Sequence, residues 1–539
     1  MVTSNTTHIE YADTRRFSKL VLDYLSDHEN LRPFYTHRPN KEGIEKAIAA
    51  RQIVGTDRKM LVDKWMKEYQ NLPKENAVLN NIKHIGEENT FTICTAHQPN
   101  IFSGPAYFMY KIQHAIKMAE EMKSHFPHLH FVPVYYMGSE DADLDEIGRI
   151  FFQGRWFVWD TNQTGAVGRM LVDQRFLNMM DEMEKTLGDD VSGKEVMSLF
   201  RRHYQLGVTI STATFGLVHE MFGAQGLLIL NPDDSVCKKA CVDVFKSDLF
   251  EHIPNEKVSD TIADFPEGYS IQTKGRAVNL FYLIDGIRSR IERHDDRFEV
   301  IGTNLRFSND EMLEMLETHP ERFSPNVILR PLLQERILPN IAFIGGGSEL
   351  AYWMELKNLF IHFDTPFPVL ILRNSFSLVS SDFFLAVNRF NIKVSDLFKD
   401  ANELDLVLLK ANDIELPNIE AEIESLNHLY QSIQSRAIQS EKTLANHVDA
   451  LRHKAEKRLL QLEKKMIRSE KKKHASLFLE VKKIQDELFI SGALQERVEN
   501  YFSMRIQFGD GLKDCLYNAQ QAFSSHFSVI GVRLAKSES

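Results

Sequence analysis

Four polar clusters in this sequence have the residue types and spacing to do chemistry. The first is His97, Gln98 and Asn100, in a stretch that reads Thr-Ala-His-Gln-Pro-Asn-Ile-Phe-Ser-Gly-Pro-Ala-Tyr-Phe-Met-Tyr over Thr95–Tyr110. A short apolar, β-prone run, Phe91–Thr95, precedes it and reads as a buried strand. Pro105 follows, where proline favours the first turn of a helix, and apolar residues continue through Tyr107, Tyr110, Ile112, Ile116 and Ala119. The three polar residues thus fall on a strand-to-helix turn. In an open parallel sheet such turns lie at the carboxyl ends of strands, where ligands bind. Taken alone, the turn fits equally well a loop shaped by Pro99 and Gly104.

The second cluster is acidic: Glu140, Asp141, Asp143, Asp145 and Glu146, directly after the strand-like His128–Tyr136. Crowded carboxylates raise one another's pKa unless a cation sits among them. A substrate ammonium or Mg²⁺ would suit them; a solvated acidic loop is the plain alternative. The third is Asn326, Arg330 and Gln334, spaced so that a helix would put them on one face, although Pro325, Pro331 and Pro339 speak against a plain continuous helix. The fourth is Gly345-Gly-Gly-Ser-Glu-Leu-Ala-Tyr-Trp353 after a short strand. Ser348 is a plausible N-cap, and free N–H groups at such a helix start attract phosphate or carboxylate. No Gly-Lys-Ser/Thr follows, so this is not a P-loop, and a tight packing turn is the alternative. Glu349, Tyr352 and Trp353 would line the first turns of that helix.

The elements that must position these clusters alternate as strand and helix, which predicts an α/β fold. Residues 1–90 read as mostly helical, with Thr14–Leu25 and Gly43–Leu72 covering a core face. Residues 91–377 form the α/β core. It is interrupted by insertions near 149–205, where Phe176–Tyr204 reads as one amphipathic helix, and near 255–323, where Gln272–Ile301 alternates like a hairpin region. Gly226–Pro232 and Phe367–Arg373 read as further buried strands. From about Ile414 to Leu488 apolar residues recur at four-three spacing, and no glycine occurs from Ala411 through Ile490. This predicts a long antiparallel coiled-coil arm within 378–493, bent near Ser435–Ser440, whose narrow apolar stripe fits dimerisation. Residues 494–539 return to the core.

Composition bounds the function. At 539 residues with 43% hydrophobic and 26% charged residues, the chain is an ordinary globular protein of several domains. A net charge of −11 argues against a general nucleic-acid binder. Four scattered cysteines make no disulfide framework, and Cys237-x-x-x-Cys241 lacks the second pair a zinc site would need. No apolar run is long enough to span a bilayer, and the N-terminus lacks a signal-peptide pattern. These features predict a cytoplasmic protein with no membrane partner.

His97–Tyr107, Gly138–Glu146, Asn326–Leu332, Gly345–Trp353 and Leu494-Gln-Glu-Arg-Val-Glu-Asn500, in this order along nearly the whole chain, resemble motifs of the cysteine ligase family that completes bacillithiol biosynthesis. Ala96-His97-Gln98 stands where that family usually has Gly-Gln-Gln, Ala142 where it has His, and Gly346-Gly347-Ser348 where it has Gly-Pro-Gly. The resemblance implies a Rossmann-like core related to class I nucleotidyl transferases, with connecting insertions and a coiled-coil homodimer arm. It implies addition of cysteine to the amino group of glucosaminyl-malate through an activated carboxylate, with ATP or ADP as the expected nucleotide and no metal assigned. On that footing His97, Gln98 and Asn100 would stabilise phosphate or carboxylate charge, and Glu140, Asp141 and Asp143 would hold an ammonium or orient the attacking amine. Asn326, Arg330 and Gln334, with Tyr107 and Trp353, would bind substrate. Gly104, Gly346, Ser348, Glu349 and Tyr352 would contact nucleotide, and Arg497 and Asn500 would serve a second nucleotide pocket near the base of the arm. An aminoacyl-tRNA-synthetase-like enzyme and a non-catalytic nucleotide-binding scaffold remain open as alternatives.

Overall fold

The computed structural model describes residues 3–532. At its centre lies a five-stranded sheet: β1 (Thr90–His97), β2 (His130–Met137), β3 (Leu228–Leu230), β4 (Asn340–Gly345) and β5 (Val369–Leu372). All neighbours pair in parallel, in the spatial order β5-β4-β1-β2-β3. Every residue of β1 is buried. A parallel strand covered on both faces needs a continuous apolar run, and Phe91–Cys94 supplies it. Strand order reverses between β1 and β4, and the crevice at that switch point is where such sheets take ligands.

Three helices bear on the site. α1 (Tyr107–His125) follows β1 and is buried over most of its length. Its Ala115, Met118 and Met122 pack with Ile44 and Ile48 of the Lys41–Ile53 helix against Ile93, Ile344 and Ile371 of the sheet. α2 (Leu329–Ile337) tolerates Pro331 because that residue occupies its first turn, where an N–H has no partner to lose. α3 (Gly347–Glu355) springs from β4.

The N-terminal region is not only helical. Thr3–Glu10 is a strand, antiparallel to His526–Val532, in a small sheet that includes Ser375–Ser380. Its partner lies at the other end of the chain, where no local periodicity can announce it. The Gly43–Leu72 helix divides into Lys41–Ile53 and Arg58–Glu68, the second capped by Asp57, whose Oδ1 accepts from Met60 N at 2.9 Å. Trp65 donates to the Ile229 carbonyl and Tyr69 accepts from the Ile229 N–H, both at 2.8 Å, which ties this region to β3. Phe176–Tyr204 is likewise two helices, Gln174–Leu187 and Val191–His203, broken at Gly188, whose φ of 56° ends the first. The Arg149–Phe152 and Arg155–Val158 strands form a hairpin. The second insertion forms an antiparallel sheet from Leu280 to Ser308, closed by Phe323–Pro325.

The described chain separates into two compact units. One is built from the chain up to Leu378 and from Ile490 onward; the other is Val379–Phe489. In the second unit Glu420–Ser440 and Leu444–Lys473 run antiparallel. Gln434 donates to the Ala445 carbonyl at 3.1 Å and Arg452 to Asn427 at 3.0 Å, pairing residues in opposite sequence order. The bend falls at residues 441–443, just past the predicted stretch, and a shorter helix, Ala401–Ala411, precedes the pair.

Candidate active site

A cavity of about 460 Å³ opens at the carboxyl ends of β1, β2, β4 and β5, over the switch point. Its size lies in the usual range for small-molecule sites. β1 ends in His97, followed by Gln98, and α1 adds Tyr107 and Lys111, one helical turn apart. The turn between them is strained: Phe102, Ser103 and Gly104 have φ of 50°, 71° and 59°. A Cβ at Gly104 would stand 2.7 Å from the Asn100 Cβ, so only glycine fits. His97 stacks on Phe108 with centroids 4.9 Å apart, and its buried Nε2 has no hydrogen-bond partner. Burial, reinforced by Lys111 and Arg373, holds its pKa well below the usual range, so the ring is neutral at pH 7.

The acidic wall comes from the end of β2. Glu140 Oε1 pairs with Lys238 Nζ at 2.6 Å, while Glu140 Oε2 is buried and unpartnered. Lys238 is itself buried and also donates to the Phe323 carbonyl at 2.9 Å, so it holds the carboxylate in place. Asp141 accepts from Gln98 Nε2 at 3.2 Å, which joins the first two sequence clusters directly. Glu146 also lines the cavity. Its carboxyl is pushed above the ordinary range by burial and then by Asp143 and Asp141.

The opposite wall is cationic. Lys111 donates to the Ala96 carbonyl at 2.9 Å and pairs with Glu349. Burial lowers its pKa, with Glu349 pulling the other way. Glu349 also accepts from Gly346 N at 2.8 Å, closing the start of α3. Arg330 donates to Tyr352 Oη at 2.7 Å and to Gln334 Oε1 at 3.3 Å, and its guanidinium lies 5.5 Å from the Tyr136 ring centroid. Arg373, just past the end of β5, and Arg497 complete this side, whereas Arg288 lies near the acids, its charge favoured by Glu140 and Asp141. Asn326 lines the rim, and its Oδ1 accepts from Ile328 N at 2.9 Å ahead of α2.

The family described as "Bacillithiol biosynthesis BshC, N-terminal Rossmann-like domain" matches residues 5–374, and its C-terminal coiled-coil domain matches residues 376–532. This chain belongs to the BshC family. A protein of Flavobacterium johnsoniae named "Putative cysteine ligase BshC" is 36% identical over 527 residues, 97% of this chain and 99% of that protein. Proteins of the same name from Cytophaga hutchinsonii and Flavobacterium psychrophilum are 34% and 35% identical, covering 94% and 97% of this chain and 97% and 98% of theirs. A solved chain titled a putative arginyl tRNA synthetase, from Campylobacter jejuni, shares 10% identity at a TM-score of 0.23 over 87% of this chain and all of that one; likeness at that level carries no argument.

Of the residues to which the resemblance gave a role in this BshC-family sequence, twelve border the cavity: His97, Gln98, Tyr107, Glu140, Asp141, Asn326, Arg330, Gly346, Ser348, Glu349, Tyr352 and Arg497. The others stand elsewhere. Trp353 is fully buried and stacks on Phe343 at 4.5 Å, because its place on α3 turns it toward the sheet. Gln334 is buried behind Arg330 and donates to Glu335 at 2.9 Å. Asn100 packs beneath the Gly104 turn. Asn500 clamps the same turn, donating to the carbonyls of Phe102 at 2.9 Å and Gly104 at 2.5 Å. Asp143 caps the Leu144–Ile147 turn, accepting from Glu146 N at 3.0 Å. Gly104 shapes the turn without reaching the cavity.

Lys111, Arg373, Arg288 and Lys238 were not singled out. Lys111 stands four residues after Tyr107, so helical spacing places it on the same face. Arg373 ends a strand-like run, where a parallel sheet exposes ligand-facing residues. Arg288 and Lys238 lie in the insertion sheet and behind the acidic wall, with no signal in the sequence around them.

Proposed function

We propose that this protein joins the carboxyl carbon of cysteine to the amino group of glucosaminyl-malate, with cysteine activated by ATP. The observation that carries the reading is the division of one cavity into a buried, half-unpartnered carboxylate, Glu140, and a facing set of cations. The first suits a substrate ammonium, and the second suits phosphates and carboxylates. Amide formation from a carboxylate needs a leaving group on its carbon, and an adenylate supplies one.

The chain's own residues fit a nucleotide. A Cβ at Gly346 would meet nothing closer than Glu349 Oε2 at 3.5 Å and Arg373 Nε at 3.9 Å, so the bare glycine leaves room at the start of α3 beside a guanidinium. Gly346, Ser348, Glu349 and Tyr352 would form the nucleotide floor. Lys111 and Arg373 would neutralise developing phosphate charge, and neutral His97 could donate or accept one hydrogen bond without adding charge. Arg330, braced by Tyr352 and Gln334, would take a malate carboxylate through its guanidinium fork. Glu140 and Asp141 would orient the amine. Glu146, with its raised pKa, is suited to accept the proton the amine loses as the amide forms.

The coiled-coil pair leaves Leu429, Ile433, Leu451, Leu462 and Met466 exposed, apolar positions that fit pairing with a second copy of the chain. Among the described residues no helix is long and apolar enough to cross a membrane, and all four cysteines are free and buried, as suits a reducing cytoplasm. The central test is to incubate purified protein with cysteine, glucosaminyl-malate and ATP and to seek the coupled thiol by mass. Product that depends on ATP supports the reading; no product with any nucleoside triphosphate overturns it.

A further inference from the structure

At the amino end of the central sheet, far from the cavity, His84, Glu87 and His130 bring two imidazoles and a carboxylate together. Their ligand atoms all lie within 4.8 Å of one another. His84 ends the Asn76–Ile85 helix, Glu87 sits in the turn after it, and His130 is the first residue of β2. The rings stack with centroids 3.9 Å apart and planes 16° from parallel. Glu87 spans their edge, with Oε1 3.2 Å from His84 Nδ1 and Oε2 3.8 Å from His130 Nε2. His84 Nδ1 is buried yet makes no hydrogen bond. The side chains are 34%, 49% and 30% exposed, so an ion can reach them from solvent.

The geometry points to a divalent transition-metal site, with His84, Glu87 and His130 as ligands of a Zn²⁺-type ion. Two imidazoles and one carboxylate form a donor set that suits Zn²⁺ and leaves a fourth position to water, whereas Mg²⁺ prefers oxygen ligands alone. Zn–N bonds of about 2.0 Å lie in the ring planes, so binding requires the two rings to turn out of their stacked arrangement by tens of degrees, a side-chain rotation that partial exposure permits. A bound ion would satisfy the orphaned nitrogen and tie the helix end to the first residue of β2. β2 separates it from the cavity by roughly 25 Å, at about 3.3 Å per residue, so the ion holds structure and takes no part in the cavity's chemistry.

The test uses untagged full-length protein, stripped by chelator and dialysed against ZnCl₂. Wild type is expected to retain one Zn²⁺ per chain and to unfold at a higher temperature than the stripped form. The His84→Ala/His130→Ala double variant, shown to be folded by circular dichroism, is expected to bind Zn²⁺ at least about tenfold more weakly and to lose the thermal shift. MgCl₂ is expected to produce neither effect. Unchanged Zn²⁺ affinity in the double variant, or failure of wild type to retain Zn²⁺, would overturn the assignment.

Discussion

Arg373 Nη2 donates to Glu496 Oε1 at 2.7 Å, and the two side chains are 4% and 0% exposed. The other Glu496 oxygen accepts from Phe376 N at 3.1 Å. The segment that returns after Ile490 thus fixes an arginine of the cavity wall. Burial opposes the Arg373 charge and Glu496 outweighs that opposition, so the guanidinium pKa is raised.

Glu496→Ala would leave Arg373 buried without its counter-charge. The expected cost is about 3–5 kcal/mol, read as a lowered midpoint in urea unfolding. A second substitution, Arg373→Met, should restore part of the loss by removing the stranded charge. A stable single variant would mean that the pair does not hold the wall.

Trp353 and Asn500 should behave as structural residues. Trp353→Ala is expected to cost about 3–5 kcal/mol by emptying the space beside Phe343. Asn500→Ala frees two carbonyls of a turn in the left-handed region and should cost about 1–3 kcal/mol. Denaturant titration checks both. Substrate affinity in the folded fraction of Trp353→Ala should be close to wild type.

Much of this arrangement is legible in the sequence because it is local. The apolar run Phe91–Cys94 marks β1, and the acids after His128–Tyr136 mark the end of β2. The four-residue spacing of Arg330 and Gln334 places both on α2. What escapes is non-local. Thr3–Glu10 finds its partner at His526–Val532, Asn500 binds a turn near Gly104, and Lys238 reaches Glu140 from behind. Trp353 escapes for a different reason: on a helix packed against a sheet, adjacent residues point about 100° apart, enough to separate the cavity side from the sheet side. Tyr352 therefore reaches the cavity while its neighbour is buried.

Arg330→Lys tests carboxylate recognition. Lysine keeps the charge but loses the fork, and a lost charge-assisted hydrogen bond of about 1.5–3 kcal/mol corresponds to a KM for glucosaminyl-malate raised about tenfold to a hundredfold. Gln334→Ala removes only a brace 3.3 Å from Arg330 and should raise KM less. Equal effects would place Gln334 against substrate.

His114 predicts a pH dependence of stability. Its Nδ1 accepts from Asn374 N at 3.3 Å and its Nε2 faces the Ala522 carbonyl at 3.2 Å. Burial lowers its pKa from 6.5 to about 4. The folded state therefore keeps it neutral while the unfolded chain takes up a proton below pH 6.5. Its contribution is present above that pH and is lost as pH falls toward 4, by about 3 kcal/mol. Unfolding free energies at pH 7 and pH 4 should differ by about that much less in His114→Gln than in wild type.

The most direct measurement is the rate of coupled-thiol formation by Glu140→Gln, followed by mass with cysteine, glucosaminyl-malate and ATP. The amide oxygen can still accept from Lys238, so circular dichroism below the transition should stay near wild type, while Tm falls because the buried lysine loses its counter-charge and the rate of the folded protein falls by about a hundredfold or more. A folded Glu140→Gln protein that makes product at the wild-type rate would contradict the account.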